Sequence, residues 1–184
     1  LLSGHAATHE IGRGGFQELP QAAMAGTVSK AAWTVENVKD LGHALARAAR
    51  IASSGRPGPV HLSLPSDILD SEIEDEPNLW PTMQEFEPLV SSLGQIAAQA
   101  VISALDKAEH PIIAGGPLLC TARGRAAARR LEETLNVPVI GMESPRGLND
   151  PALGAFAEVI QQTDLFVLLG KPLDFTLKFG EVPA

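Results

Sequence analysis

Between Val60 and Leu64, apolar Val60, Leu62 and Leu64 alternate with polar His61 and Ser63, a period of two that predicts a short strand. Pro57 and Pro59 fix φ and remove two donors just before it, Gly58 between them tolerates almost any dihedral, and Pro65, Ser66 and Asp67 stop it. From Glu36 to Ala52 the period changes. Val38, Leu41, Leu45, Ala48, Ala49 and Ala52 recur at helical spacing, with Arg47 and Arg50 near the end, where a helix dipole favours cations. Before that helix, "LLSG" reads as the tail of a strand, residues 5 to 15 as a Gly-rich loop, and "FQELPQAAMAG" as a short helix broken around Pro20. A turn at Gly26 and a Lys entering an extended segment complete the block, residues 1–69.

Residues 70–90 follow no sustained period. "DSEIEDEPNLWPTMQEFEP" is acidic and holds three prolines, which predicts a solvated linker tacked to a domain surface by Trp80 and Phe86. Residues 91–184 return to regular patterning. Leu93, Ile96, Ala97, Ala100, Val101, Ala104 and Leu105 mark a helix, "HPIIAGG" a buried strand, about Ala122 to Leu135 a helix with Arg123, Arg125, Arg129 and Arg130 on its wet side, "VPVIGM" a strand, "ALGAFAEVIQQ" a helix and "DLFVLLG" a strand. Strand and helix alternating at these lengths predict an α/β fold, a parallel sheet with helices on both faces, Rossmann-like in the last block.

Composition narrows the field. The 184 residues are 45% hydrophobic and 20% charged, as in ordinary globular proteins, and a net charge of -8 with scattered Lys and Arg argues against a nucleic-acid footprint. Cys120 is the only cysteine, so no disulfide framework is expected and a reducing compartment, the cytoplasm, is the default. No apolar run approaches the length of a membrane span, and no basic n-region marks a signal peptide. Leu1 in place of an initiating Met, with a strand tail behind it, reads as a cut rather than a natural terminus.

Three stretches carry candidate chemistry. "AGGPLL" at 114–119 follows a strand and precedes a helix, so Gly115 and Gly116 read either as a phosphate cradle or as a tight structural turn. "LLGKPLDF" at 168–175 has the same context: Lys171 and Asp174 read as phosphate and ribose contacts, or as a solvated lysine and a cap. In "GGFQELPQAAMAGTVSKAAWTV", Gln17 and Glu18 beside Phe16 either present an amide to a ligand or cap a helix. His5 and His9, at i and i+4, lie in a loop with no helix to align them for a metal. Cys120 reads as a small apolar plug.

"GGFQELPQAAMAGTVSKAAWTV" with "RPGPVHLSLPSDIL" resembles the end of the pyrimidine-binding domain of thiamine diphosphate enzymes of the acetolactate synthase type, a group that includes benzaldehyde lyase and oxalyl-CoA decarboxylase. From "HPIIAGG" to "GKPLDFTLKFG" the chain is similar to their central domain. The resemblance implies that strands carrying a catalytic glutamate precede Leu1, and that a domain for magnesium and diphosphate follows Ala184. It further implies that Gln17 faces cofactor or substrate, that Phe16 walls the cleft, that Lys30 lies near substrate entry, and that the parent enzyme is a homodimer or homotetramer. The implied reaction makes or breaks a carbon-carbon bond at a 2-keto acid or an acyl-CoA, and the piece alone is expected to be inactive. "GMESPRGLNDPALGAF" is short, and Pro172 stands where an FAD-binding arginine would fall. An adenine nucleotide such as ADP, or no ligand, is therefore implied ahead of FAD. The competing expectation is a stand-alone nucleotide-binding or structural module without catalysis.

Overall fold

The computed structural model describes residues 1–181, and its contacts divide the chain into two units, Leu1–Ser92 and a second beginning at Leu93. In the first, β1 (Leu2–His5), α1 (Gln21–Gly26), β2 (Ala31–Thr34), α2 (Leu41–Ser53), β3 (Val60–Pro65), α3 (Ser66–Leu69) and α4 (Met83–Phe86) follow one another. β3 lies between β1 and β2 and is parallel to both, with Leu2 opposite Leu62 and Ala31 opposite Val60. A middle strand is covered along both edges, and here on both faces, so all of β3 is buried. Its alternation divides chemistry between the faces instead of dividing inside from outside. Leu62 and Leu64 join Val35, Ile68 and, from α2, Leu41, Leu45 and Ala48 in the apolar core. His61 and Ser63 are buried on the other face.

The proline-rich collar before β3 has a packing reason. The Lys30 stem runs over Gly58, where a Cβ would meet its Cδ and Cγ at 3.2 Å. Its ammonium donates to the Ile51 and Ser54 carbonyls, both at 2.6 Å, supplying partners at the end of α2 where carbonyls lack intrahelical donors.

From Pro77 onward the acidic segment docks on the first unit. A 3-10 turn, Pro77–Leu79, turns Leu79 inward, 6% exposed, and leaves Trp80 61% exposed with its indole N–H donated to Asp75. Leu79, rather than Trp80, is the anchor. Gly42 permits the approach, since a Cβ there would stand 2.7 Å from the Leu79 carbonyl oxygen.

In the second unit, α5 (Gln95–Leu105), β4 (Pro111–Gly115), α6 (Ala122–Leu135), β5 (Val139–Gly141), α7 (Phe156–Val159) and β6 (Leu165–Leu169) build a parallel sheet in the order β5-β4-β6. Leu105, Ile113 and Val137 make the core of one face; Ile112, Ala114, Met142, Phe156, Ile160 and Leu177 make that of the other. Both units are therefore α/β with parallel strands. The Thr121 hydroxyl accepts from the Gly124 amide to start α6, and Asn136 at φ 53° ends it.

One reading of the pattern is corrected: the helix expected over "ALGAFAEVIQQ" is interrupted at Gly154, at φ 57°, which separates a 3-10 turn from α7, and α7 then runs directly into a further 3-10 turn. The helix read from the apolar stripe is present as α5, with Ile96 89% exposed, Leu93 and Ala97 exposed, and Leu105 buried. Residues 182–184, the end of the expected last block, lie outside the described residues. Among the described residues no helix is long and apolar enough to cross a membrane.

Candidate functional site

In parallel α/β sheets the loops beyond the strands' carboxyl ends are where ligands meet the backbone. β1 ends at His5, opposite Pro65, and the chain then makes a loop to Pro20 before α1. Its first turn is tied down by Asp67, which accepts from the Thr8 amide at 2.9 Å and from the Thr8 hydroxyl. Its far end is tied by the His5 ring, whose Nε2 lies 3.1 Å from the Leu19 carbonyl.

Between these ties the loop folds around a carboxylate. Glu18 accepts main-chain N–H groups from Gly12 at 2.5 Å, Gly14 at 2.8 Å and Gly15 at 3.0 Å. Gly12 and Gly14 have φ of 84° and 76°, the left-handed region that turns successive amides toward one point. Gln17, immediately before this carboxylate, is itself held at φ 65°, a conformation that a residue with a side chain adopts only when its surroundings impose it. Its Oε1 lies over Gly4, where a Cβ would come within 3.5 Å of it. Phe16 is 87% exposed. The geometry thus presents an aromatic ring and an amide on a loop whose shape is fixed from within.

The Gly12 amide first, and then those of Gly15 and Gly14, hold the Glu18 carboxyl below its ordinary value of 4.5. A lowered folded-state pKa means that this contribution is complete above about pH 4.5 and is lost as pH falls through the lowered value. In an NMR titration the Gly12, Gly14 and Gly15 amide proton shifts are expected to move together below pH 4.5, and Glu18→Gln to abolish that movement. Shifts that stay still, or move only above pH 4.5, would count against the arrangement.

Beside the loop lies a polar cluster that holds none of the candidate site residues read from the sequence. The Gln21 side-chain oxygen accepts from Ser3 Oγ at 2.5 Å and Ser63 Oγ at 3.1 Å, and its nitrogen donates to the Gly4 carbonyl at 2.8 Å. Ser3 Oγ is also 2.8 Å from His61 Nε2, while the buried His61 Nδ1 has no partner among the described residues. The available signal was the pair of polar positions, 61 and 63, on one face of β3. What they face comes from α1, far away in sequence.

Lys30 is not brought to Gln17. It precedes β2 at the level of Val60, the start of β3, whereas Gln17 lies by Gly4, at the level of Leu64. Gly115, Gly116, Lys171 and Asp174 are brought together, but as a closed turn. The Gly116 amide donates to the Leu169 carbonyl at 3.0 Å. The Lys171 side chain is 6% exposed, and its ammonium has three acceptors for its three N–H groups: Asp174 Oδ1 at 3.0 Å, Thr176 Oγ1 at 2.5 Å and the Pro172 carbonyl at 3.3 Å. Asp174 caps the following turn by accepting from the Thr176 amide at 3.0 Å and from its hydroxyl. The Thr176 hydroxyl and then Lys171 hold the Asp174 carboxyl below its usual range. Thr121 takes the Gly124 amide at the start of α6, and the Lys171 and Asp174 side chains are engaged with each other and with Thr176, so as they stand neither side chain is turned to a nucleotide phosphate.

A cavity of about 480 Å³ in the second unit opens elsewhere. Pro111, Ile112, Pro138 and Ile140 line it, which places it at the amino ends of β4 and β5.

No family model matches the chain. Among curated proteins it is 30% identical to oxalyl-CoA decarboxylase of Escherichia coli (strain K12) over 178 residues, 94% of this chain and 32% of that protein. It is 28% identical to 2-hydroxyacyl-CoA lyase of Arabidopsis thaliana over 193 aligned positions, 100% of this chain and 34% of that one. It is 33% identical to the acetolactate synthase isozyme 3 large subunit of Escherichia coli (strain K12) over 144 residues, 76% of this chain and 25% of that one. The chain spans about a third of the length of the first two.

Proposed function

The chain is related over nearly its whole length to thiamine diphosphate-dependent enzymes that act on carbon-carbon bonds, and on that premise we propose that it forms one wall of such an enzyme's catalytic cleft. The enzyme makes or breaks a carbon-carbon bond at a 2-keto acid or an acyl-CoA. The observation that carries this reading is the loop locked by Glu18, which exposes Phe16 and holds Gln17 at φ 65° beside the carboxyl end of β1.

Thiamine diphosphate, when bound, supplies the electron sink for the bond that is made or broken. Gln17 has both an N–H donor and a carbonyl acceptor on one side chain, which suits a substrate carbonyl that gains negative charge. Because the loop is already fixed, placing that amide requires little reorganisation when charge develops. Phe16 covers the reacting region with an apolar face and keeps water from it. Lys30, Gly115, Gly116, Lys171 and Asp174 serve the scaffold in this reading. Magnesium and the diphosphate are held by parts of the enzyme other than these residues, and the working assembly is a homodimer or homotetramer.

Gln17→Ala, placed in the full-length enzyme that carries this chain, is expected to lower kcat by roughly 10- to 100-fold, the range for losing one donor among several to a developing oxyanion. Unchanged kcat and KM on both a 2-keto acid and an acyl-CoA would sink the assignment. This chain alone, mixed with thiamine diphosphate, magnesium and pyruvate, is expected to show no turnover above buffer.

A further inference from the structure

The cluster that fastens the acidic segment to α2 has no part in the proposed chemistry. His43, on the first turn of α2, points Nε2 at the Asn78 carbonyl oxygen, 2.8 Å away, and Nδ1 at Glu85 Oε2, 2.9 Å away. A carbonyl oxygen and a carboxylate oxygen only accept hydrogen bonds. Both contacts are hydrogen bonds only if both ring nitrogens carry a proton, so the geometry is that of an imidazolium. Either neutral tautomer would set a nitrogen lone pair against an oxygen lone pair.

The surroundings suit a cation. Asp40 lies near the ring on the turn before α2, and Glu36 and Arg47 line the same depression as His43. On the docked side, Glu85 divides its work: Oε1 accepts from the Thr82 amide at 3.0 Å and closes the first turn of α4, while Oε2 takes His43. Arg50 Nε donates to the Glu85 main-chain carbonyl at 2.8 Å, and Lys39 pairs with Glu76 at 3.0 Å. Histidine is the side-chain type whose charge changes between about pH 5 and 8.

We propose that His43 is a pH-operated clasp: it fastens residues 76–87 to α2 while the ring is doubly protonated, and lets that segment loosen when a ring proton is lost. The direction of its titration agrees. The Asn78 carbonyl, and then Glu85, hold the His43 proton above the ordinary value of 6.5. The Thr82 amide, and then His43, hold Glu85 below 4.5. A raised histidine pKa makes its contribution complete below about pH 6.5 and lost as pH rises through the raised value; a lowered carboxyl pKa makes the other half complete above about pH 4.5 and lost as pH falls through the lowered value. The clasp is thus closed from mildly acidic to near-neutral pH and opens on either side.

Nitrogen-15 NMR of the histidine rings, combined with hydrogen exchange across residues 77–87, tests this. At pH 6.5 both His43 nitrogens are expected at the protonated chemical shift, with a midpoint above that pH. Exchange of the segment, corrected for the intrinsic base-catalysed rate, is expected to rise through the same midpoint, and His43→Gln to remove the step. A ring with one unprotonated nitrogen at pH 6.5, or a segment whose exchange ignores the His43 midpoint, would overturn the proposal. The ring spectrum of the unsubstituted chain decides the matter even if His43→Gln fails to fold.

Discussion

Gly116→Ala is expected to destabilise the second unit by about 3 kcal/mol or more, the upper end for overpacking, because nothing near the new methyl group can yield. The added Cβ would stand 1.9 Å from the Gly170 carbonyl oxygen and 2.7 Å from its carbon, both main-chain atoms. Gly170 is itself at φ 62° in the turn that leaves β6, and the Gly116 amide is bonded to Leu169, so separating the strand ends would break that bond. Hydrogen exchange under increasing urea, followed in peptides of residues 111–115 and 165–169, measures the loss. Gly26→Ala is the control: beyond its chain neighbours and its own helix's backbone, no atom among the described residues lies within 4 Å of its missing Cβ, and alanine at the end of α1 should help by up to about 1 kcal/mol. Equal losses from the two substitutions would show that close approach is not why Gly116 is a glycine. The same experiment weighs the two readings of "AGGPLL", since a residue that only cradles phosphate would leave the unliganded protein's stability unchanged.

Leu62→Ala is expected to lower the stability of the first unit by about 2–5 kcal/mol, the cost of truncating a fully buried leucine. Leu62 has no exposed surface and packs in the cluster with Val35, Leu64 and Ile68 against α2. With native domains stable by only about 5–15 kcal/mol, such a change weakens the frame to which the Glu18 loop is tied through β1 and Asp67. A urea midpoint that moves by less than a tenth of its value would mean that this core is not what holds β3. In a protein that still folds, the glycine amide shifts of the loop should keep their acid titration, because Glu18 and its donors are local to one another.

What could be read from sequence alone follows the range of the interactions involved. β3 was legible because its alternation is a property of five adjacent residues, and α6 because the arginines of its wet side, Arg123, Arg125, Arg129 and Arg130, recur within one short stretch. The burial of His61 and Ser63 was not, since their cover is a glutamine from α1, 42 positions from Ser63. Gln17 and Glu18 beside Phe16 read together, either as presenting an amide to a ligand or as a helix cap, and the role of Glu18 was not legible because its partners are upstream main-chain amides, which leave no mark in side-chain pattern. For Lys171 and Asp174 the spacing allowed two readings; a threonine two residues beyond Asp174 bonds both, so that Asp174 caps the turn and Lys171, instead of being solvated, is buried against it. The stripe of α5 shows the opposite limit. Apolar spacing says which side of a helix resembles a core, but whether anything lies against that side depends on the rest of the molecule, and Ile96 faces water here.

The two sheets differ in when they can first exist. In the second unit the middle strand, β4, leaves the ribosome before either neighbour, so each later strand finds a partner waiting and the sheet grows outward from its centre. In the first unit β1 and β2 share no ladder, and their common partner, β3, comes last; Leu2 waits for Leu62. The ladder between β1 and β3 joins positions 60 residues apart, Leu2 and Leu62, and closing so long a loop is slow. The half of the chain that carries Phe16 and Gln17 is therefore the half whose described strands meet through contacts far apart in sequence.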